Sequence, residues 1–316
     1  MFILINKFTA QLLRSSISLF KKENGLENLD FNEIKTLEKI DIIRKVHWLN
    51  KERYNKPLNG LYEECISPDH LWTIGELLKG FEIVDSDRYV KELNKISKQI
   101  ESIWNLKPSD TIIVAIAEHD RPDGSQAFVH ALGPELSQNW QGKIKNNIGF
   151  AFSGELKSSL IKNIVLADDY IGSGEKLTNK VKRLIGYLNA EYTDEFVIYV
   201  VALAGMRDGI NNIKSTTAQI FVPIGMVKSI SDKFTNTHRK NKAINSMIEL
   251  EQEILPVTPF PKKKNFREYN FGYKLSESLY FQEGANIPNN VFPIFWKDTY
   301  ENKTEPRYPL FRRSRK

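Results

Sequence analysis

Cysteine is nearly missing from this chain. Among 316 residues there is 1 cysteine, Cys65. A single thiol excludes an intramolecular disulfide and a cysteine-rich zinc site, and it fits a reducing cytoplasm, with no membrane expected as a partner. Long apolar runs are missing too. The longest, Ile112–Ala117 and Phe196–Gly205, are too short to span a bilayer. The opening Met1-Phe2-Ile3-Leu4-Ile5 lacks a basic flank and is soon interrupted by Lys7, so no signal peptide is expected. Charge of one sign is not abundant: 45 basic against 39 acidic residues give +6. Part of that excess crowds the end, at Arg307, Arg312, Arg313, Arg315 and Lys316. Such a balance permits an anionic partner without requiring one. Short repeats and low-complexity tracts are absent.

What is present is a sizeable apolar inventory, 41% of the chain, enough for one large domain with additions or for two. Residues 1–105 read as helical. Phe2, Ile5, Phe8 and Leu12 have helical spacing, as do Ile34, Leu37, Ile40 and Ile43. Leu71, Ile74, Leu77 and Leu78 make a third face, and Tyr89, Leu93, Ile96, Ile100 and Trp104 a fourth. Trp48, Trp72 and Trp104 read as core anchors. Pro57, Gly60, Pro68 and Gly80 punctuate the helices.

Residues 106–225 alternate strands with helical stretches, the pattern of a parallel sheet flanked by helices. Thr111–Ala117 is apolar without alternation, which predicts a strand buried on both faces. The polar loop Glu118–Ser125 follows it, then a helix containing Phe128, Val129 and Leu132. A short strand is expected at Ile148–Phe152, another over Glu195–Ala204, and a last one at Ala218–Pro223. Loops after Ala117, Ala167 and Ala204 should gather at one edge. There Arg121, Asp168, Asp169 and Arg207 can converge on one ligand, with Arg207 equally suited to a structural ion pair. In the loop, Arg121 is the residue best able to pair with phosphate oxygens. Glu118, His119 and Asp120 can hold a metal, orient Arg121, or simply be solvated.

The stretch that organises the rest is Ile164–Lys176. Ile164 to Ala167 read as a buried strand, Asp168 and Asp169 follow at its end, and Gly172 and Gly174 loosen the loop that comes next. Leu177, Val181, Leu184, Ile185 and Leu188 then have helical spacing. Amides at a helix start suit a phosphate, and paired carboxylates suit sugar hydroxyls or magnesium.

This stretch resembles the ribose-phosphate motif of type I phosphoribosyltransferases. Asp168 and Asp169 match its two acids, and Ser173-Gly174 match its Thr-Gly. Glu175-Lys176 depart from the small residues that close it. The resemblance implies that the acids hold the ribose hydroxyls of phosphoribosyl pyrophosphate (PRPP) with magnesium. It implies that Gly172, Ser173 and Gly174 hold the 5′-phosphate and that Arg121 meets the pyrophosphate. At the departing positions, Glu175 repels a phosphate unless it points away, and Lys176 can offset it. Ala167-Asp168-Asp169 also resembles the acidic signature of reverse transcriptases. Leu166 stands where that signature usually has an aromatic residue, and a helix follows in place of a second strand.

Residues 226–316 form a C-terminal extension. Ser246, Ile248, Leu250 and Ile254 mark a helix ended by Pro256, Pro259 and Pro261. Phe271–Phe281 suggests a loop and a strand, and Asn286–Trp296 combines prolines, the turn pair Asn289-Asn290, and aromatic anchors. With Pro309-Leu310-Phe311, these tail segments resemble a narrower phosphoribosyltransferase-like family of bacterial conflict systems. That resemblance implies an antiphage defence effector in the cytoplasm, sometimes beside a reverse transcriptase and structured RNA in a retron, or beside another protein of a defence operon. Residues 260–296 would be the hood over the site. Tyr273, Asn289, Asn290 and Trp296 face a base there, or serve packing and turns. An enzyme acting at the ribose anomeric carbon and an inactive nucleotide sensor or partner-binding subunit both remain open.

Overall fold

A computed structural model describes residues 29–118, 123–152, 156, 160–192, 195–214, 219–255, 270–300 and 304–313. The expected helix at Phe2–Leu12 and the candidate Arg121, with His119 and Asp120, lie outside the described residues.

Among the described residues, four α-helices precede the main sheet: α1 (Phe31–Lys45), α2 (Asn55–Glu63), α3 (Pro68–Lys79) and α4 (Ser86–Lys98). Their starts are written in the sequence. Asp30 and Glu33 form a reciprocal capping box at α1, Ser67 caps α3 ahead of Pro68, and Asp85 caps α4. A short strand, β1 (Glu82–Val84), lies between α3 and α4.

The sheet proper is parallel throughout. Its strands are β2 (Thr111–Ala115), β3 (Ile144–Lys145), β4 (Asn163–Ile171), β5 (Val197–Met206), β6 (Gln219–Phe221) and β7 (Ile224–Met226). The order is β3-β2-β4-β5-β6, with β7 pairing farther along β5. Between β2 and β3 lies α5 (Gly124–Leu132); α6 (Glu175–Glu191) joins β4 to β5, and α7 (Arg207–Lys214) follows β5. Strand pleating explains the two layers of helices. Ile113, Ala115, Val165, Ala167 and Val201 share a core with Phe128, Val129 and Leu132 of α5. Ile112, Val114, Ile164, Leu166 and Val200 share another with Leu177, Val181, Leu184 and Leu188 of α6. Buried on both faces, these strands need no polar alternation.

Connections leave β2 and β4 in opposite directions along the sheet. The crevice between their carboxyl ends is therefore the topological switch point, where ligands of open α/β sheets bind.

A third core joins the two ends of the chain. Leu49, Leu58, Ile74 and Leu78 pack with Met247 and Leu250 of α8 (Thr237–Gln252) and with Phe292, Phe295 and Phe311 of the tail. Trp48 stacks on Phe311 at 5.7 Å, and Trp104 meets Tyr199 at 4.9 Å. The last strand, β8 (Tyr280–Gln282), pairs with β1 in parallel. Arg307, almost fully buried, donates to both Glu64 carboxylate oxygens at 2.7 Å, and Tyr300 donates to Oε1 at 2.8 Å. The C-terminal extension thus caps the sheet from the side held by the N-terminal helices.

Two local expectations are corrected. Ile148–Phe152 is a 3-10 helix, and the short strand lies earlier, at Ile144–Lys145. Asn147 causes the turn: its side chain accepts from the Gly149 N–H at 2.5 Å and its carbonyl from the Phe150 N–H at 3.2 Å. The strand expected to stop at Ala167 instead runs on through Asp168 and Asp169 to Ile171, because β5 is long enough to pair with it as far as Gly205.

Candidate functional site

Asp168 and Asp169 occupy the last part of β4, at the switch point. Asp168 is 5% exposed, and its Oδ1 accepts the Asp169 N–H at 3.0 Å. A third carboxylate joins them from the neighbouring strand's loop. Asp123 caps α5, with Oδ1 accepting the Ser125 N–H at 3.1 Å and its own N–H donating to Gln126 at 3.3 Å. One oxygen from each of Asp123, Asp168 and Asp169 lies within 4.8 Å of the others. Gly124 permits this approach: a Cβ there would stand 2.0 Å from Asp169 Oδ2. The Asp169 carboxylate consequently rests against the amino end of α5, where a helix favours negative charge.

Lys176 reaches into the same cluster. Its Nζ lies 2.8 Å from Asp123 Oδ2. Burial pushes the Asp168 carboxyl well above its usual range, and the Asp169 charge adds to the shift. Burial raises Asp169 as well. Asp123 goes the other way: burial would raise it, but Lys176 and Ser125 outweigh burial and hold it down at about 2. Burial would also lower Lys176, yet the charges of Asp168 and Asp123 raise it.

After Ile171 the chain passes through Gly172, Ser173 and Gly174 into α6. Gly174 is left-handed, with φ +76°, and a Cβ there would meet the Gly209 carbonyl at 2.3 Å. It caps α6 with no side chain of its own, and the Glu175 N–H makes a long 3.5 Å bond to Ser173 Oγ, so the helix start can turn its amides to a ligand. The Asn212 side chain donates to the Ser173 carbonyl at 3.1 Å and steadies the loop from α7.

The extension roofs this loop. Tyr170 donates to Ser278 Oγ at 2.8 Å and stacks on Tyr280 at 5.1 Å. Asn290 lies against Gly172, held by its Nδ2 donating to Ser276 Oγ at 3.1 Å. The result is a cleft of about 1560 Å³ that contains the three acids, Gly172, Ser173, Gly174 and Lys176 in its lining. Tyr273, Asn289 and Asn290 line it too. Trp296 does not appear in that lining among the described residues; its indole N–H donates to the Val291 carbonyl at 2.8 Å and Arg313 sits over its ring. Arg207 is exposed and likewise away from the lining. Glu175 turns outward and pairs with Lys274.

Sequence reasoning missed Asp123, although the Asp123–Gln126 box signalled a helix start at that place. It also missed Arg53, Asp85 and Tyr89, which line the cleft from the N-terminal helices. No local pattern could have linked those three to cleft residues so far away in the chain.

The sequence profile of the PRTase-CE family matches residues 23–313, nearly the whole chain. The chain belongs to the PRTase-CE family. No curated protein matches it in sequence. Among solved structures, it is similar to the hypoxanthine-guanine phosphoribosyltransferase of Schistosoma mansoni in complex with IMP, at 15% identity and a TM-score of 0.29. That alignment covers 46% of this chain and 66% of the parasite enzyme, just under two thirds. The family profile alone gives a phosphoribosyltransferase-like family, and the strand pairing gives the parallel sheet. Among the described residues, no helix is long and apolar enough to cross a membrane.

Proposed function

We propose that this PRTase-CE protein binds PRPP, or a nucleotide with the same ribose 5-phosphate, and acts at the ribose anomeric carbon. One observation carries the reading. An acidic pair at the switch point, Asp168 buried and Asp169 half-buried, runs directly into a glycine loop that opens a helix, and all of it lines one roofed cleft. Asp168 and Asp169 would take the ribose hydroxyls, the Gly172–Gly174 amides the 5′-phosphate, and Arg121 the pyrophosphate. The roof residues Tyr273, Asn289 and Asn290 would face the base. The donor set suits magnesium, since hard carboxylate oxygens from Asp123, Asp168 and Asp169 come within 4.8 Å of one another. Bound there, the ion would neutralise charge developing on a pyrophosphate.

The tail motifs support a setting in bacterial antiphage defence, in the cytoplasm, with a reverse transcriptase–RNA complex or another operon-encoded protein as partner. A second reading, a nucleotide sensor without chemistry, is favoured by the Lys176–Asp123 ion pair, which engages one of the three acids.

Calorimetric titration with PRPP and with nucleoside monophosphates, with and without magnesium, tests the binding. Phosphorus NMR of the same mixtures tests the chemistry. Binding with pyrophosphate or base release supports the enzyme, and binding with intact ligand supports the sensor. No binding of either ligand class rejects both. Metabolite profiles of expressing cells would identify the nucleotide consumed.

A further inference from the structure

We propose that Lys176 is the resident counter-ion of the Asp123–Asp168–Asp169 cluster, and that a divalent cation gains the cluster only by displacing its ammonium. This deepens the proposed function and rests on its placement of magnesium at Asp168 and Asp169.

The geometry of each carboxylate carries the argument. Asp123 spends Oδ1 on the Ser125 N–H and turns Oδ2 to Lys176. Asp168 spends Oδ1 on the Asp169 N–H and is itself 5% exposed. Asp169 is pressed against Gly124. Three carboxylates so close, with Asp168 almost out of water, repel one another and demand a cation. Lys176 supplies it from the second position of α6, and helical side chains lean toward the amino end of their helix. The ammonium thereby reaches back over the glycine loop. Its side chain is 55% exposed, so leaving requires no repacking of the core. Asp123 stays fixed when the lysine leaves, because the capping box holds it. Lysine and metal thus compete for a preformed set of oxygens, and a swung-out ammonium remains beside the loop that would hold a phosphate.

The test is Mn²⁺ binding, read by the loss of the free-ion electron paramagnetic resonance signal, without PRPP, near pH 7.5. Lys176→Met should bind one Mn²⁺ at least tenfold more tightly than the native chain. The double variant Lys176→Met/Asp123→Asn should lose that gain. Equal affinity within twofold for native and Lys176→Met overturns the proposal, as does a gain that survives Asp123→Asn. If Lys176→Met does not fold by circular dichroism, Lys176→Gln serves in the same comparison. The two readings fail separately. A Mn²⁺ gain in protein that binds no PRPP or nucleotide keeps the lysine proposal and rejects the proposed function. Normal PRPP binding without a Mn²⁺ gain does the reverse.

Discussion

Tyr170 on β4 donates to Ser278 Oγ at 2.8 Å, and that bond ties the strand carrying the acids to the roof above them. Ser278 has no exposed surface, and burial raises the hydroxyl of the half-buried Tyr170 above its usual range. Tyr170 also stacks on Tyr280 of β8, which pairs with β1 from the N-terminal part. Three distant segments therefore meet over one motif. The roof is set by the same strand that sets the acids, so cleft height and acid position are coupled.

Tyr170→Phe keeps the stacking and deletes the hydroxyl. Ser278 Oγ is then left buried without this partner, which costs about 1–3 kcal/mol. Urea denaturation should show that loss, and ligand affinity should fall with it as the roof loosens. Unchanged stability would show that the bond does not fasten the roof.

Asp168→Asn should separate binding from folding. Burial raises the native carboxyl, so folded protein holds its proton more tightly than unfolded protein. The sign follows: this group's contribution is full below the unfolded value and is lost as pH climbs through the folded one. At neutral pH the asparagine variant should be as stable as the native chain or more so, by on the order of 1 kcal/mol. The Asp168→Asn/Asp169→Asn variant should lose PRPP or nucleotide binding in the titration. Full affinity at an unchanged melting temperature would displace the site from β4.

Much of this was legible because it is local. Strand, acids, glycine loop and helix follow one another within Ile164–Leu188, and both faces of that strand are covered, so its apolar run needs no distant information. The roofing role of Asn290 was legible only as a possibility, since turn chemistry and ligand contact use the same side chain. What stayed hidden is pairing across the chain. Glu82 opposite Tyr280, and Glu64 with Arg307, are choices made by packing that leave no periodicity behind. The strand expected at Ile148–Phe152 failed for a different reason: one side-chain amide, Asn147, outcompeted an apolar run.

Gly124→Ala probes the closeness of α5 to Asp169. The new Cβ would fall 2.0 Å from Asp169 Oδ2, and the carboxylate has to move. Alanine reduces the freedom of the unfolded chain by about 0.4–1 kcal/mol, which offsets part of the strain. The variant should melt within a few degrees of the native chain and yet bind ligand at least tenfold more weakly, roughly 1.4 kcal/mol. Native affinity would mean that the position of Asp169 is unimportant.

Glu175→Gly tests the departure from the family motif. The carboxylate pairs with Lys274 on the outside, and the exposed pair is worth about 0–1 kcal/mol. PRPP or nucleotide affinity should change less than threefold. Binding that appears only in the glycine variant would show that Glu175 blocks the native pocket.

Glu251 gives the chain a pH dependence away from the cleft. It has no exposed surface and accepts the Phe271 N–H at 2.8 Å and the Ile294 N–H at 3.4 Å, where α8 meets the tail. Burial dominates those bonds and pushes its carboxyl from 4.5 up to about 8. A folded value above the unfolded one means that the contribution is full below about 4.5 and fades as pH rises to about 8. Native stability should therefore fall between pH 5 and pH 9 by on the order of a few kcal/mol, before other groups add their own slopes. Glu251→Gln cannot ionise and should flatten that part of the curve, although one of the two backbone amides loses an acceptor. Parallel urea titrations across that pH range would decide it: identical slopes for native and variant would remove Glu251 as the source, and a flatter variant would place the proton on the carboxyl that joins α8 to the roof.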